Sequence, residues 1–381
     1  MRKIGDEMQF NIKRSLLLEG IQKTLGIVER KTTTPILNNI LVKTEGDRIK
    51  IAATDREIGL VSYYDAEIIS DGIITLSARK TFEMIREIQG DIISFKKGEN
   101  NWVNITCEKI AYNIPGISGD DFPEADVLGD EEITFFKVKS NMIGEMIDKT
   151  FFAMSKEEMR SHLNGAFLET EKKDKGYWMR MVTTDGHRLS LVIFYEEDGE
   201  FIDISGGIII PRKGISEVKK LVDNGSEYIE VGVKKGKCVF KKDDTILRIS
   251  LVDSEYPEYK KVMPTDKGIT VQLDREQFLH SLKRMSVISS EKYSGVKIKI
   301  MENKMILNST NPDVGEANEE IEISYKGEEI EIVYNVSYLI DAVQVISGDS
   351  ILFDIRPGLR PGVISEVGND RYICVVMPLK M

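Results

Sequence analysis

Apolar residues recur at every third or fourth position in six segments of the chain, each with polar or charged residues on its other side. From near Lys13 to Lys31 the stripe is Leu17, Leu18, Ile21, Leu25 and Val28, and over Ala78 to Gln89 it is Phe82, Ile85 and Ile88. From Lys139 to about Arg160 it is Met142, Ile143, Met146, Ile147, Phe151 and Met154, and over Pro211 to Val222 it is Ile215, Val218, Leu221 and Val222. A fifth stripe from Asp274 holds Phe278, Leu279, Leu282, Met285 and Ile288. The sixth, Asn335 to Ile346, holds Val336, Leu339, Ile340, Val343 and Ile346. These predict six surface helices packed on something by one face. Between them, Ile36 to Val42, Ala166 to Thr170 and Val296 to Ile300 read as strands, with turn signals at Glu45-Gly46-Asp47, Lys235-Gly236-Lys237 and Lys326-Gly327-Glu328.

The order of these elements repeats. A longer helix, two or three strands, a shorter helix and further strands follow one another three times. Ala78-Arg79-Lys80, Pro211-Arg212-Lys213 and Asn335-Val336-Ser337 open the shorter helices. Thr54-Asp55 returns as Thr184-Asp185, with Asn311-Pro312 in the third place, and Asp121-Phe122-Pro123 returns as Glu255-Tyr256-Pro257. Landmarks that shift together by roughly 130 residues mark three structural repeats. The predicted class is α+β, three domains of two helices on β-sheet, at 1–131, 132–259 and 260–381. Acidic Glu124 to Glu132, and Tyr259 to Gly268 with its Lys, Pro, Thr, Asp and Gly, read as the connections.

At 381 residues the chain exceeds what one core usually serves. Its 41% hydrophobic and 30% charged residues are those of globular material. No apolar run approaches the roughly 20 residues of a membrane span. The start, Met1-Arg2-Lys3-Ile4-Gly5-Asp6-Glu7, lacks the apolar core of a signal peptide, so a soluble cytoplasmic protein without a membrane partner is expected. The net charge of −11 argues at first against nucleic acid. That charge is segregated, because the helical segments hold more Lys and Arg than Asp and Glu. If the helices line one surface, it is a phosphate-facing one. Lys and Arg also favour helices generally, which is the plainer explanation of the split. No aromatic stripe or zinc finger points to base readout, so contact would be to the backbone, without sequence preference.

Cys107, Cys238 and Cys374 form neither a disulfide framework nor a CxxC pair, and they read as small core residues. With 3 histidines and no HExxH, no metal site is expected. Without a GxxxxGK[ST] loop, a GxGxxG turn after a strand or a GxSxG elbow, no cofactor is expected either. One stretch invites a catalytic reading. Thr183-Thr184-Asp185-Gly186-His187-Arg188-Leu189-Ser190-Leu191 places an acid, a histidine and an arginine side by side. On a strand Asp185 and His187 would share a face; on the turn that Gly186 suggests they need not. A dyad would also need a nucleophile or metal, and nothing nearby is convincing as either, so no catalytic residue is expected.

These pieces together resemble the bacterial sliding-clamp family, the β subunits of DNA polymerase III. The resemblance is carried by Thr34-Pro35-Ile36-Leu37-Asn38-Asn39, Thr54-Asp55, Ala78-Arg79-Lys80, Asp121-Phe122-Pro123 and Leu163-Asn164-Gly165. It continues through Thr184-Asp185-Gly186-His187-Arg188-Leu189, Pro211-Arg212-Lys213-Gly214, Tyr256-Pro257-Glu258-Tyr259, Asn335-Val336-Ser337-Tyr338 and the terminal Val375-Val376-Met377-Pro378-Leu379-Lys380-Met381. The motifs span nearly the whole chain in the family's order. The resemblance implies three similar domains per subunit and two subunits closing head to tail into a ring around duplex DNA, helices lining the hole. It further implies a non-catalytic processivity factor that tethers the polymerase III α subunit and is opened by an ATP-driven clamp-loader complex. Other polymerases and repair proteins would dock on it through short clamp-binding motifs. A clamp-like paralogue serving repair partners is the alternative within this fold, and a hydrolytic enzyme using Asp185 and His187 is the one outside it.

Carried over position by position, the resemblance implies a partner-peptide pocket of Leu163, Thr184, His187, Arg188, Leu189, Pro257, Lys261, Val262, Val375, Met377, Pro378, Leu379, Lys380 and Met381. It implies DNA contacts at Lys31, Arg79, Glu157, Ser161, His162, Arg212 and Lys213, with Tyr293, Asn335 and Tyr338 beside them. Ser161-His162 departs from the two aromatics of some members, and Glu157 stands where a neutral amide can occur. A homodimer interface would set Tyr112 and Ile114 against Val287 and Ile288, with Lys109 facing Glu316, Glu319 and Glu320.

Overall fold

The computed structural model describes residues 7–28, 33–123, 133–173, 175–197, 203–204, 206–266, 268–290 and 294–380. It divides into two compact units, Met1–Ser140 with Ser216–Leu251, and Asn141–Ile215 with Val252–Met381. The middle third of the chain is therefore shared between them.

The first unit holds two antiparallel sheets. Five strands run in the order Glu67–Ser70, Gln9–Lys13, Ile92–Lys97, Trp102–Cys107 and Ile110–Pro115. Eight more run Phe136–Lys139, Tyr228–Lys234, Lys237–Lys242, Thr245–Ser250, Ile58–Asp65, Arg48–Thr54, Asn39–Glu45 and Ile73–Ser77. A seam crosses this second sheet where Thr245–Ser250 pairs with Ile58–Asp65, Ile249 opposite Ile58 and Thr245 opposite Ser62. The first helix, Arg14–Thr24, buries Leu17 and Ile21, and the second, Ala78–Glu87, buries Ile85. Each such side chain contributes about 2 kcal/mol by leaving water. Arg14 ties the two helices together, its Nε donating to the carbonyl of Ile85 at 2.9 Å and Nη2 to that of Arg86 at 2.6 Å.

The second unit repeats the plan. Its eight-stranded sheet runs Ile208–Pro211, Gly165–Lys173, Gly176–Thr184, Arg188–Glu197, Asn369–Val376, Gly362–Glu366, Ser350–Ile355 and Ile269–Asp274. Its seam pairs Arg188–Glu197 with Asn369–Val376. A four-stranded sheet, Gly315–Glu322, Lys304–Asn311, Gly295–Met301 and Ile330–Asn335, packs with the fifth helix, Arg275–Ile288. Strand burial alternates strictly at Ser350–Ile355, as a sheet covered on one face requires. The α+β class and the pairs of helices packed on sheet match the sequence pattern. All three cysteines are buried and free.

The helix ends depart from that pattern. The first helix stops at Thr24 in a tight turn, Ile27 N donating to the Thr24 carbonyl at 3.0 Å, rather than running to Lys31. The third helix, Ser140–Thr150, stops ten residues short of Arg160 and gives way to a 3₁₀ turn at Phe151–Ala153. Side chains distant in sequence take its terminal carbonyls. Ser190 donates to Lys149 O and Thr183 to Thr150 O, each at 2.6 Å. The fourth helix spans Arg212–Val222. The sixth, Val336–Gln344, begins one residue after Asn335, whose side chain accepts from Ser337 N at 2.9 Å as an N-cap.

Candidate partner-docking and nucleic-acid sites

The turn at Thr184 is built from its own side chains. Asp185 Oδ1 accepts from the backbone N–H groups of His187 at 2.9 Å and Arg188 at 3.0 Å, and Thr184 Oγ1 accepts from Gly186 N at 3.1 Å. Gly186 has φ +88°, which a glycine adopts at least cost. The other oxygen of Asp185 accepts from Arg188 Nε at 3.1 Å. His187 is exposed and its ring lies 6.4 Å from that of Tyr338, nearly parallel. The acid is thus spent on the turn and on Arg188 and the imidazole stacks elsewhere, so the hydrolytic reading has no dyad to stand on.

Arg188 points away from Leu189, as successive residues on a strand must. Its guanidinium pairs with Asp341 at 2.5 Å, donates to Phe152 O at 2.7 Å and sits 4.3 Å from the Tyr338 ring centre. Burial pulls its pKa down, but the Asp341 bond and the charges of Asp185 and Asp341 outweigh that and leave it raised. Arg212 sits close by, donating to Phe151 O at 3.3 Å and Met154 O at 3.1 Å, with its guanidinium 4.2 Å from the Phe151 ring centre. Burial, and then the charge of Arg188, lower its pKa. Two residues expected at a peptide or at DNA are therefore engaged in holding the turn that follows the third helix.

Leu189 faces the other way. It pairs with Val375 and joins Val182, Leu191 and Tyr259 in a buried cluster, with Phe167, Ile193, Tyr256, Met263, Val363 and Ile373 partly buried against it. Phe167 stacks on Tyr256 at 4.8 Å. The chain end runs beside this cluster: Met377 N donates to His187 O at 2.9 Å and Leu379 N to Val333 O at 2.8 Å, and Pro378 bridges to Tyr334. Met377, Pro378 and Leu379 stay half-buried and Lys380 is exposed. Pro257, Lys261 and Val262 are exposed, Lys261 paired with Glu258. Leu163 is buried and closes a small loop, its carbonyl accepting from Ser155 N at 3.0 Å. Sequence reasoning missed Phe167, Tyr256, Tyr259 and Met263. Tyr256 and Tyr259 flank the Pro257 it chose, and the alternation at Ala166-Phe167-Leu168 could have placed Phe167 on the pocket face.

Of the expected DNA contacts, Arg79 in the first unit is exposed at the start of the second helix. In the second unit Glu157, Ser161 and Lys213 are exposed and His162 is half-buried. Glu157 pairs with Arg160 at 3.0 Å, and between them Met159, absent from the sequence reading, is 99% exposed. Asn335 is used as a helix cap, and Tyr338 is the ring beside Arg188. Lys31, Tyr293 and Met381 lie outside the described residues.

Lys109, Tyr112 and Ile114 lie at the edge strand Ile110–Pro115 or the turn before it. Val287, 75% exposed, and half-buried Ile288 end the fifth helix, and Glu316, Glu319 and Glu320 lie on the edge strand Gly315–Glu322. Glu319 already bonds to Arg284 at 2.5 Å, which holds its carboxyl below the usual range, and Glu320 pairs with Lys304 at 3.3 Å. Among the described residues no group of His, Cys, Asp and Glu could hold a metal, and no helix is long and apolar enough to cross a membrane.

Comparison with known proteins gives consistent matches. Family profiles described as the N-terminal, central and C-terminal domains of the DNA polymerase III beta subunit match residues 8–126, 137–258 and 260–380. The beta sliding clamp of Caulobacter vibrioides is 32% identical over 377 residues, 98% of this chain and 100% of that protein. The beta sliding clamp of Pseudomonas aeruginosa is 30% identical over 378 residues, again 98% and 100%. The crystal structure of the Caulobacter crescentus beta sliding clamp superposes with a TM-score of 0.93 at 31% identity, over 100% of both chains.

Proposed function

The chain belongs to the DNA polymerase III beta subunit family, and from that premise we propose how it holds its partners, its DNA and its second copy. It is a sliding clamp, a non-catalytic processivity factor for DNA synthesis. In this reading three domains, 1–131, 132–259 and 260–381, close head to tail with those of a second copy into a ring around duplex DNA. Arg79, Lys213 and the loop of Glu157, Ser161 and His162 meet the phosphate backbone, while Arg212 shapes the helix end behind that loop. The edge strand bearing Tyr112 and Ile114 adds to the edge strand Gly315–Glu322 of the second copy, which removes both free edges.

Partners dock by a short peptide with apolar anchors on the cluster around Leu189 and Val375. The observation that supports this most is that cluster itself, where half-buried Phe167, Tyr256 and Met263 pack against a buried floor and Met377 N bonds to His187 O beside it. The polymerase III α subunit, the clamp loader and repair proteins would compete for it.

Removing Met377 to Met381 tests the reading. Those residues come after the last seam strand, so the sheet survives their loss. A synthetic peptide with Leu and Phe anchors should bind the full chain and fail to bind the truncated one, while light scattering still reports a dimer. Undiminished binding to the truncated chain would overturn the pocket.

A further inference from the structure

The sheet face that carries Leu189 also carries an aromatic pair some distance along the same strand. On Arg188–Glu197 the residues Leu189, Leu191, Ile193 and Tyr195 alternate onto one face, opposite Thr184, Val182, Arg180 and Trp178. Exposure rises along this row: Leu189 and Leu191 are buried, Ile193 is half-buried and Tyr195 is 38% exposed. Trp178 and Tyr195 meet with ring centroids 4.9 Å apart, tilted by 51°. Arg180, the one charge in the row, is answered by Glu171 at 2.7 Å and Glu169 at 3.5 Å, so an apolar path runs past it. One edge of this strand is hydrogen-bonded along its length to Gly176–Thr184, and the other to Asn369–Val376 over Arg188–Val192. A half-exposed aromatic pair on this row is a strong anchor for side-chain contact.

We propose that Trp178 and Tyr195 form a second anchor for the same partner polypeptide that fills the Leu189 cluster. The inference rests on the pocket reading above. Its occupant is the extended segment flanking the pocket-bound anchors. That segment carries one aromatic or long aliphatic side chain about six residues, or roughly 20 Å, from them. Because the charges beside the row are paired, the anchor selects an apolar flank over a charged one.

The test uses the whole protein and two synthetic peptides. One carries only the Leu and Phe anchors, and the other adds a flank with a phenylalanine six residues away, made on each side in turn. The extended peptide of one polarity should bind about fivefold to tenfold tighter than the core peptide. Trp178→Thr with Tyr195→Thr should remove that gain and leave core binding unchanged. The chain has 2 tryptophans, so Trp102→Phe leaves Trp178 as the reporter. Its emission should shift with the extended peptide and not with the core. Equal affinity for core and both extended peptides, with core binding weakened about thirtyfold by Leu189→Ala, overturns the anchor alone. Loss of core binding in the Trp178→Thr/Tyr195→Thr variant overturns it too, because the pair would then belong to the pocket's own support. Failure of the core peptide to bind the unchanged protein overturns pocket and anchor together.

Discussion

Two seams, one in each unit, begin with the same turn and diverge immediately after it. At the first, Asp55 Oδ1 accepts from Glu57 N at 3.0 Å and Ile58 N at 2.6 Å, and Thr54 Oγ1 accepts from Arg56 N at 2.9 Å. At the second, Asp185 and Thr184 make the same bonds to His187, Arg188 and Gly186. Register then aligns Gly59 with Leu189, since each pairs with the threonine of its turn. Across the seam Gly59 meets Arg248, whereas Leu189 meets Val375. A glycine beside a buried arginine builds no apolar floor; a leucine beside a valine does. Past the seam strand, the first unit's chain continues, Leu251 N donating to Gly236 O at 2.8 Å, while the second unit's chain approaches its end. The Thr-Asp pair is therefore turn architecture common to both, and the proposed docking floor rests on the strand residues after it.

The sharpest break in the comparison is Arg188→Met against Ile58→Val, the residues that close the two turns. Removing Arg188 leaves Asp341 and Asp185 without their cation and should cost about 3 kcal/mol in urea unfolding. Ile58→Val should cost about 1 kcal/mol. Next in size, Leu189→Ala should weaken an apolar-anchor peptide about thirtyfold, some 2 kcal/mol. Val61→Ala, in the first seam's buried cluster, should lower stability and leave peptide affinity alone. The turns themselves give an opposed pair. Gly186→Ala, at φ +88°, should destabilise by about 1 kcal/mol, and Arg56→Gly, at φ +79°, should stabilise by a similar or smaller amount. Smallest is an expected absence of reaction. Burial pushes the Cys374 thiol up to about 12, so iodoacetamide at neutral pH should not label it in the folded protein. Rapid labelling would mean that the second seam frays at its chain end.

Much of this was legible in the chain. Helical periodicity placed the six α-helices of the described residues, and the recurrence of Thr-Asp found both turns. The illegible parts depend on partners remote in sequence. Nothing near Thr150 announces the end of the third helix, because Thr183 and Ser190 take its last carbonyls and Arg188 and Arg212 take those of the turn that follows. The sheets that run across repeats join strands such as Ile58–Asp65 and Thr245–Ser250, whose alternation says only that each pairs with something. The buried cluster around Leu189 was half legible. Leu189 and Val375 came from motifs, while Phe167 and Met263 reach the same cluster only through the fold.

Methyl NMR of the intact protein during titration with a peptide bearing Leu and Phe anchors tests the central claim most directly, since both seams carry methyl groups that report separately. The account predicts that the methyl signals of Leu189, Leu191 and Val375 shift saturably while those of Ile58, Leu60 and Val61 do not. Shifts confined to the first seam, or a bound peptide that leaves Leu189 and Val375 unmoved, would contradict it.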